Sequence, residues 1–379
     1  HDMLEKQHEP IAFELAQSAG MKNQQILYLC DSDKEARLIN NELKLFMNSS
    51  LIGYYPEREL LPYDRFSTAD SIIQERINLL NANKKNFRII ITSCVNLFEK
   101  LPSKDFFVAR KNFKVNDLLS IKELTRTLEN LNYERTDKVN AINQYTVRGG
   151  VVDFYSGFQL HPIRVDFFGD QIDDIREFDP HTQNMTKKLT EFQLFSGSEV
   201  LLDDASIGRF KYAWRNYFQK YDERHCEIFQ TLAAGKYPEG YEIYNPLFQS
   251  GDSNLMDYFS GFSIIKSNKI DQVLSSYLDF VNERYLEESI DSSRPILKPN
   301  DYIFEIEDLQ IYLKSADLLN HLDNSLTIEK IENKEIQLKS LISKQSNGEI
   351  DTLLITSSEQ IELDKLNKQY QISITSLPF

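Results

Sequence analysis

The sequence predicts a multi-domain α/β protein, on three observations. Over residues 1–108, short and wholly apolar runs alternate with amphipathic stretches, as in a parallel sheet covered on both faces. Between Tyr145 and Pro180 the period shortens to two, and Gly and Asp mark tight turns, as in antiparallel hairpins. At 379 residues, 41% of them hydrophobic, the chain exceeds one ordinary domain. The expected architecture is a parallel α/β domain with an inserted antiparallel, β-rich α+β domain and a further α/β piece.

Each element has its own signal. Ile26 to Cys30 (ILYLC) is a buried strand. Ser32-Asp33-Lys34-Glu35 has capping-box spacing and opens a helix that turns Leu38, Ile39, Leu43 and Phe46 inward. A helix over 67–81 lines up Ile72, Ile73, Ile77 and Leu80. Arg88 to Thr92 is another buried strand, and Ser93 caps a short helix to Leu101. Residues 113–130 open a new unit with a strand end and a helix, and 189–195 close it. Helix returns over 205–234, with Phe210, Ala213, Trp214, Tyr217 and Phe218. Ile264-Ile265 is a short strand, and 269–288 is an amphipathic helix that buries Val273, Tyr277, Phe280, Val281 and Leu286. A helix over 306–319 follows. From Asp323 aromatic residues almost vanish, and the β-α-β-like pattern at 353–355, 359–368 and 372–374 predicts all or part of a small α/β domain.

The stretch from Tyr145 to Pro180 carries the functional argument. Ile163-Arg164-Val165-Asp166-Phe167-Phe168 alternates strictly, so one face holds Ile163, Val165 and Phe167 and the other Arg164, Asp166 and Phe168. Burying Phe168 would carry two charges into the core, at a cost of roughly several kcal/mol unless they are paired. Phe168 is therefore expected at the surface beside Arg164, and Arg with an aromatic is the composition of interface hot spots. A second reading stays open: Phe168 packs under a loop, and Arg164 pairs with Asp166 or Asp170. Gly149-Gly150, ahead of a strand from Val151 to Tyr155, suggests a bulge or a close backbone approach, which leaves the facing of Arg148 undecided. Phe168-Gly169-Asp170-Gln171 is a tight hairpin turn, and 178–182 another turn.

Composition narrows the function classes. The net charge is −15, and residues 196–379 carry 18 basic against 30 acidic side chains, so there is no basic footprint for nucleic acid. Cys30, Cys94 and Cys226 lie far apart, which argues for a reducing cytoplasm and against a disulfide or metal framework. No apolar run approaches the ~20 residues of a membrane span, and no signal-peptide pattern is seen. The chain lacks GxxxxGK(S/T); Gly20-Met21-Lys22 is the nearest fragment. It also lacks GxSxG and HExxH, and its six histidines show no metal spacing. Asp166, Asp170, Asp173 and Asp174 cluster around a hairpin turn, where solvated carboxylates are the expected finding. No catalytic, cofactor-binding or metal-binding residues are expected.

With these residues in view, TVRGGVVDFY (146–155) and PIRVDFFGDQIDDIREFDP (162–180) resemble the second domain of the excision-repair helicase UvrB and of the transcription-repair coupling factor (Mfd) family. Leu61-Pro-Tyr-Asp-Arg-Phe-Ser67 with the Ile72 to Arg76 helix is similar to the coupling factors rather than to UvrB. So are Asn132 to Arg135 and the pieces Gly235 to Gly240 and Asn245 to Phe248. The resemblance covers about residues 20–320. It implies a degenerate P-loop-like domain 1A at 1–109 with 196–231, a UvrA-binding domain 2 at 110–195, domain 1B at 232–322, and domain 3, complete or not, at 323–379. It also implies an amino-terminal fragment without ATPase activity, cytoplasmic in a bacterium. ATP and Mg would serve the carboxy-terminal motor of the family, and RNA polymerase and duplex DNA would be bound by domains other than these. Damage clamping by an aromatic hairpin near Tyr54-Tyr55-Pro56, as in UvrB, is not expected. The family's UvrA contacts match Arg148, Arg164 and Phe168, with Asp166 and Arg176 as rim contacts, and the resemblance turns Arg148 to the face of Arg164 through the Gly149-Gly150 kink. The alternatives are a UvrB-type ATP-dependent DNA helicase subunit and a direct DNA-binding module.

Overall fold

Two sheets of opposite character organise the chain, one parallel, the other antiparallel except for one strand pair. The computed structural model describes residues 9–21, 24–104, 111–157, 159, 161–194, 196–249 and 253–318. The elements expected at 323–379 lie outside the described residues.

The first stretch alternates helix and strand as predicted. Helix α1 (Glu9–Met21) buries Ala12, Leu15, Ala16 and Ala19, a face of mostly small residues. Strand β1 (Ile26–Cys30) is buried throughout. Only Asp31 and Ser32 separate it from α2 (Asp33–Leu43). The Ser32 hydroxyl accepts from Glu35 N, but Glu35 reaches back to Asp31 N (2.8 Å). Helix α2 stops at Leu43, so Phe46 lies beyond it and packs edge-on against Phe13. Strand β2 (Ile52–Tyr55) had no sequence signal strong enough to predict it. Helix α3 (Asp70–Asn81) begins three residues later than expected. Glu242 holds the preceding backbone extended: its carboxylate accepts from Thr68 N (2.7 Å) and from the Ser67 hydroxyl (3.0 Å). Strand β3 (Ile89–Ser93) leads into a 3₁₀ turn that ends at Phe98, short of the predicted Leu101.

The insert follows: β4 (Lys111–Lys114), α4 (Ile121–Asn130), β5 (Glu134–Arg135), β6 (Gln144–Arg148), β7 (Val151–Phe154), β8 (Ile163–Phe168), β9 (Gln171–Phe178), β10 (Met185–Leu189) and β11 (Glu191–Leu194). Six of these strands make one sheet in the order β10-β9-β8-β7-β6-β5, antiparallel except for β5 with β6. A reciprocal capping box, Ser120 with Glu123, opens α4. Its Leu124 and Leu128 share a core with Val152, Phe154, Ile163, Val165 and Ile175 of the sheet. The incoming β4 and outgoing β11 pair antiparallel and draw the ends of the insert together.

The chain then returns through α5 (Asp204–Tyr217), α6 (Glu227–Ala233), α7 (Leu255–Tyr258), β12 (Ser263–Lys266), α8 (Ile270–Glu288), α9 (Pro299–Tyr302), α10 (Ile306–Leu313) and β13 (Asp317–Leu318). The helix expected at 205–234 is two helices, because Asp222 caps a 3₁₀ turn at Glu223–His225 between them. The last helix ends at Leu313, where the chain turns into β13. Leu286 is exposed rather than buried: five residues past the buried Val281, it falls off the apolar stripe, and Tyr285 packs on Tyr63 instead. Strands β12 and β13 complete a five-stranded parallel sheet, β13-β12-β1-β3-β2.

One buried ion cluster ties the two units together. Arg58 contacts Glu99 (3.1 Å) and Glu199, while Arg76 contacts Glu199 (3.2 Å) and Glu99. The Arg76 guanidinium also donates to Pro56 O (2.6 Å) and stacks on Tyr55. Burial alone would raise the Glu199 carboxyl, but Arg58 and Arg76 hold it below its ordinary value. Every charge has a partner, the condition under which buried charges are tolerated.

Candidate protein-binding face

Strand pairing decides which side chains share a face of the six-stranded sheet. Residues paired across antiparallel strands point the same way. The row Val147, Val152, Val165, Ile175 faces α4 and the core. The row Thr146, Asp153, Arg164, Arg176, Lys188 faces away from it, as does the next row, Arg148, Val151, Asp166, Asp174. Phe167 packs on the core, so Phe168 points out with the second set and is 81% exposed. Arg148, Arg164, Asp166, Phe168 and Arg176 thus all lie on one face.

Their environments differ. Arg164 forms a two-pronged ion pair with Asp153 (2.7 Å on each prong), and its guanidinium lies 4.6 Å from the centre of the buried Phe178 ring. The Asp153 bond pulls the Arg164 pKa up, against burial, which lowers it. The pairing suggested in the second sequence reading is therefore corrected: Arg164 pairs with neither Asp166 nor Asp170, and Phe168 is not under a loop. Asp166 instead pairs with Arg176. Burial raises the Asp166 carboxyl above its usual value, with Arg176 acting against it. Asp174 pairs with Lys188 (2.8 Å). Arg148 is exposed and donates to the Asp137 carbonyl (2.7 Å). Among the described residues it makes no ion pair to a carboxylate.

The glycine pair is also corrected. Arg148 pairs with Val151, so Gly149-Gly150 is a two-residue hairpin turn rather than a bulge. Gly149 takes φ +59°, a conformation L side chains rarely adopt. The close approach that the pair suggested is present: Phe167 N donates to Gly150 O (2.8 Å), and a Cβ on Gly150 would sit 3.2 Å from Phe167 O. The bulge lies on β9, where Asp173 is the extra residue between Ile172 and Asp174. Sequence reasoning missed Asp153 and Phe178 as the supports of Arg164. The alternation of 151–155 held the signal for Asp153, but only the register against β8 turns it into a partner.

Elsewhere the parallel sheet offers no open anion site at the start of α2. Asp33 at that helix start accepts from the Tyr54 hydroxyl (2.6 Å) and Glu57 N (3.0 Å), and bonds Arg37 (2.7 Å). Among the described residues no three His, Cys, Asp or Glu side chains gather as a metal site, and no helix is long and apolar enough to cross a membrane. Cys30, Cys94 and Cys226 are buried and free.

Residues 112–199, most of the insert, match the UvrB interaction domain family. Most of the chain is similar to transcription-repair-coupling factors. It is 28% identical to that of Rickettsia typhi over 363 residues, 93% of this chain and 31% of the relative. It is 27% identical to that of Haemophilus influenzae over 78% of this chain and 26% of the relative. With the Escherichia coli factor it shares 24% identity over 90% of this chain and 29% of the relative. The chain spans about a third or less of the length of these curated relatives. Along most of its length, then, this chain resembles the transcription-repair-coupling factors, and the sheet that carries Arg148, Arg164 and Phe168 is the part that matches the UvrB interaction domain.

Proposed function

We propose that this chain is a non-catalytic, UvrB-like module of a transcription-repair coupling factor that recruits UvrA to RNA polymerase stalled at DNA damage. The observation that carries the reading is the sheet face with Phe168 in solvent, Arg148 free of any described carboxylate and Arg164 braced by Asp153, within the segment that matches the UvrB interaction domain. An exposed aromatic with arginines on a rigid sheet has the composition of a binding hot spot. Arg148, Arg164 and Phe168 are the UvrA contacts in this reading, with Asp166 and Arg176 at the rim.

The parallel domain is a degenerate P-loop-like unit in the same reading, without nucleotide, metal or catalytic residues of its own. In support, the start of α2 is occupied by Asp33, whose charge opposes a phosphate. ATP-driven translocation, polymerase binding and duplex-DNA contact are assigned to other parts of the factor, and the setting is the bacterial cytoplasm.

Calorimetric titration with UvrA tests this. Phe168→Ala and Arg148→Ala should each weaken binding by ~2 kcal/mol or more while the melting temperature stays put. Wild-type affinity in both variants would sink the site. ATP hydrolysis by this chain would instead favour a UvrB-type helicase, and strong salt-dependent binding to duplex DNA a DNA-binding module.

A further inference from the structure

The docking face has a second apolar anchor that the site residues above do not include. Leu118 lies on the segment between β4 and α4 and is 87% exposed. It forms an isolated antiparallel bridge with Gln171, which is itself paired with Phe168 across the hairpin turn. Leu118, Gln171 and Phe168 therefore make a third row on the outward face, and the two apolar ends stand about 10 Å apart, two strand spacings.

Leu118 is not on a slack loop. Leu119 N donates to Asp170 O (2.9 Å), Ile172 N to Asp117 O (3.0 Å) and Asn116 N to Ile172 O (2.8 Å). The Gln171 side-chain amide donates to Asn116 O (2.9 Å), and Asp117 takes Lys114 N (2.7 Å). Leu119, next along, is buried in the insert's core, so strand alternation forces Leu118 outward. A leucine fixed in water by backbone bonds on either side of it gains nothing for the fold. On binding it gives up little backbone entropy, because that entropy was already lost on folding.

We infer that Leu118 and Phe168 together form a two-pronged apolar anchor for the partner, flanked by the cation of Arg148. Resting on the UvrA-docking reading, this inference specifies the partner's chemistry: an apolar depression wide enough to take both side chains, with a carboxylate beside it for Arg148. The rows of paired charge between Arg148 and Lys188 are already satisfied within the sheet and act as the polar surround.

Titrating UvrA into wild-type protein, Leu118→Ala, Leu118→Glu and Phe168→Ala tests it, with each variant's melting temperature measured first. Leu118→Ala should weaken binding by about tenfold at unchanged melting temperature, and Leu118→Glu by more. Wild-type affinity in both Leu118 variants beside a weakened Phe168→Ala would overturn the Leu118 anchor and leave the docking reading standing. No binding by the wild-type chain, or no response to any of the three variants, would remove the docking reading and the anchor with it.

Discussion

The chain uses arginine–carboxylate pairs in two places, and the contrast between them separates cement from contact surface. Arg58, Arg76, Glu99 and Glu199 form a closed cluster, with Arg76 and Glu199 both lost to solvent. On the sheet face, Arg164–Asp153, Arg176–Asp166 and Lys188–Asp174 grade from nearly buried to exposed. The same chemistry has opposite consequences. In the interior, removing Arg76 or Glu199 leaves the other buried charge with one partner fewer and no water to replace it. On the exposed side of the sheet, at Lys188–Asp174, water and salt stand in for a lost partner, so that pair is worth little, while the nearly buried Asp153 falls between the two cases. What distinguishes the face is Arg148, without a described carboxylate partner, and the solvent-exposed Phe168 and Leu118, set beside side chains that are ion-paired.

The contrast can be broken by experiment, starting where the effect is largest. Glu199→Gln should cost about 3–5 kcal/mol in urea unfolding, because two buried guanidiniums lose their shared carboxylate. A loss below about 1 kcal/mol would show that the cluster is hydrated and no different from the sheet. The UvrA variants come next: Phe168→Ala should lower affinity and leave unfolding unchanged, the reverse of Glu199→Gln. Asp153→Asn sits between the two, since Asp153 is buried and Arg164 only partly so. It should cost about 1–2 kcal/mol of stability and also weaken UvrA binding by freeing the Arg164 side chain. If it changes stability alone, Arg164 supports the face without contacting the partner.

Acidity gives a further separation. Burial raises the Glu242 carboxyl above its ordinary value, against the pull of Arg58. A carboxyl raised in the folded state binds its proton there first. Wild-type stability should therefore increase relative to Glu242→Gln as the pH is lowered from neutrality to the ordinary carboxylate range. Parallel pH profiles for the two proteins would contradict this. The smallest effect belongs to Lys188→Ala, whose ammonium is largely exposed beside Asp174. It should stay within about 0.5 kcal/mol, and 0.5 M salt should erase most of that in wild-type protein.

Local patterns were legible in the sequence to the extent that they were periodic. The alternation in β8 gave the correct outward trio, and the apolar runs gave β1 and β3. Relationships between distant residues were not legible. Helix α3 starts at Asp70 because of a carboxylate 172 residues away from it in the chain, at Glu242. The sequence offered Arg164 two acids, Asp166 and Asp170, and it bonds a third, Asp153, that register brings opposite. Leu118 and Leu119 are identical side by side, and only the bridge to Gln171 decides which of them meets water. The Gly149-Gly150 pair announced a special backbone without saying which kind, since bulges and two-residue hairpins draw on the same residue.

The position of the ion cluster has a mechanical consequence. Glu99 lies before the insert and Glu199 just after it, and the same two guanidiniums hold both. Strands β4 and β11 zip the two ends together a little further out. A pull on the sheet face is thus delivered to the parallel domain through the ion cluster at the root of the insert and through the Asn78 amide, which donates to Gly157 O (2.9 Å). Torque applied by a bound molecule would turn the insert as one rigid piece until that anchorage fails. The strength of the cluster and of the Asn78–Gly157 contact together, not of the face itself, would then set how large a load a docked partner can transmit.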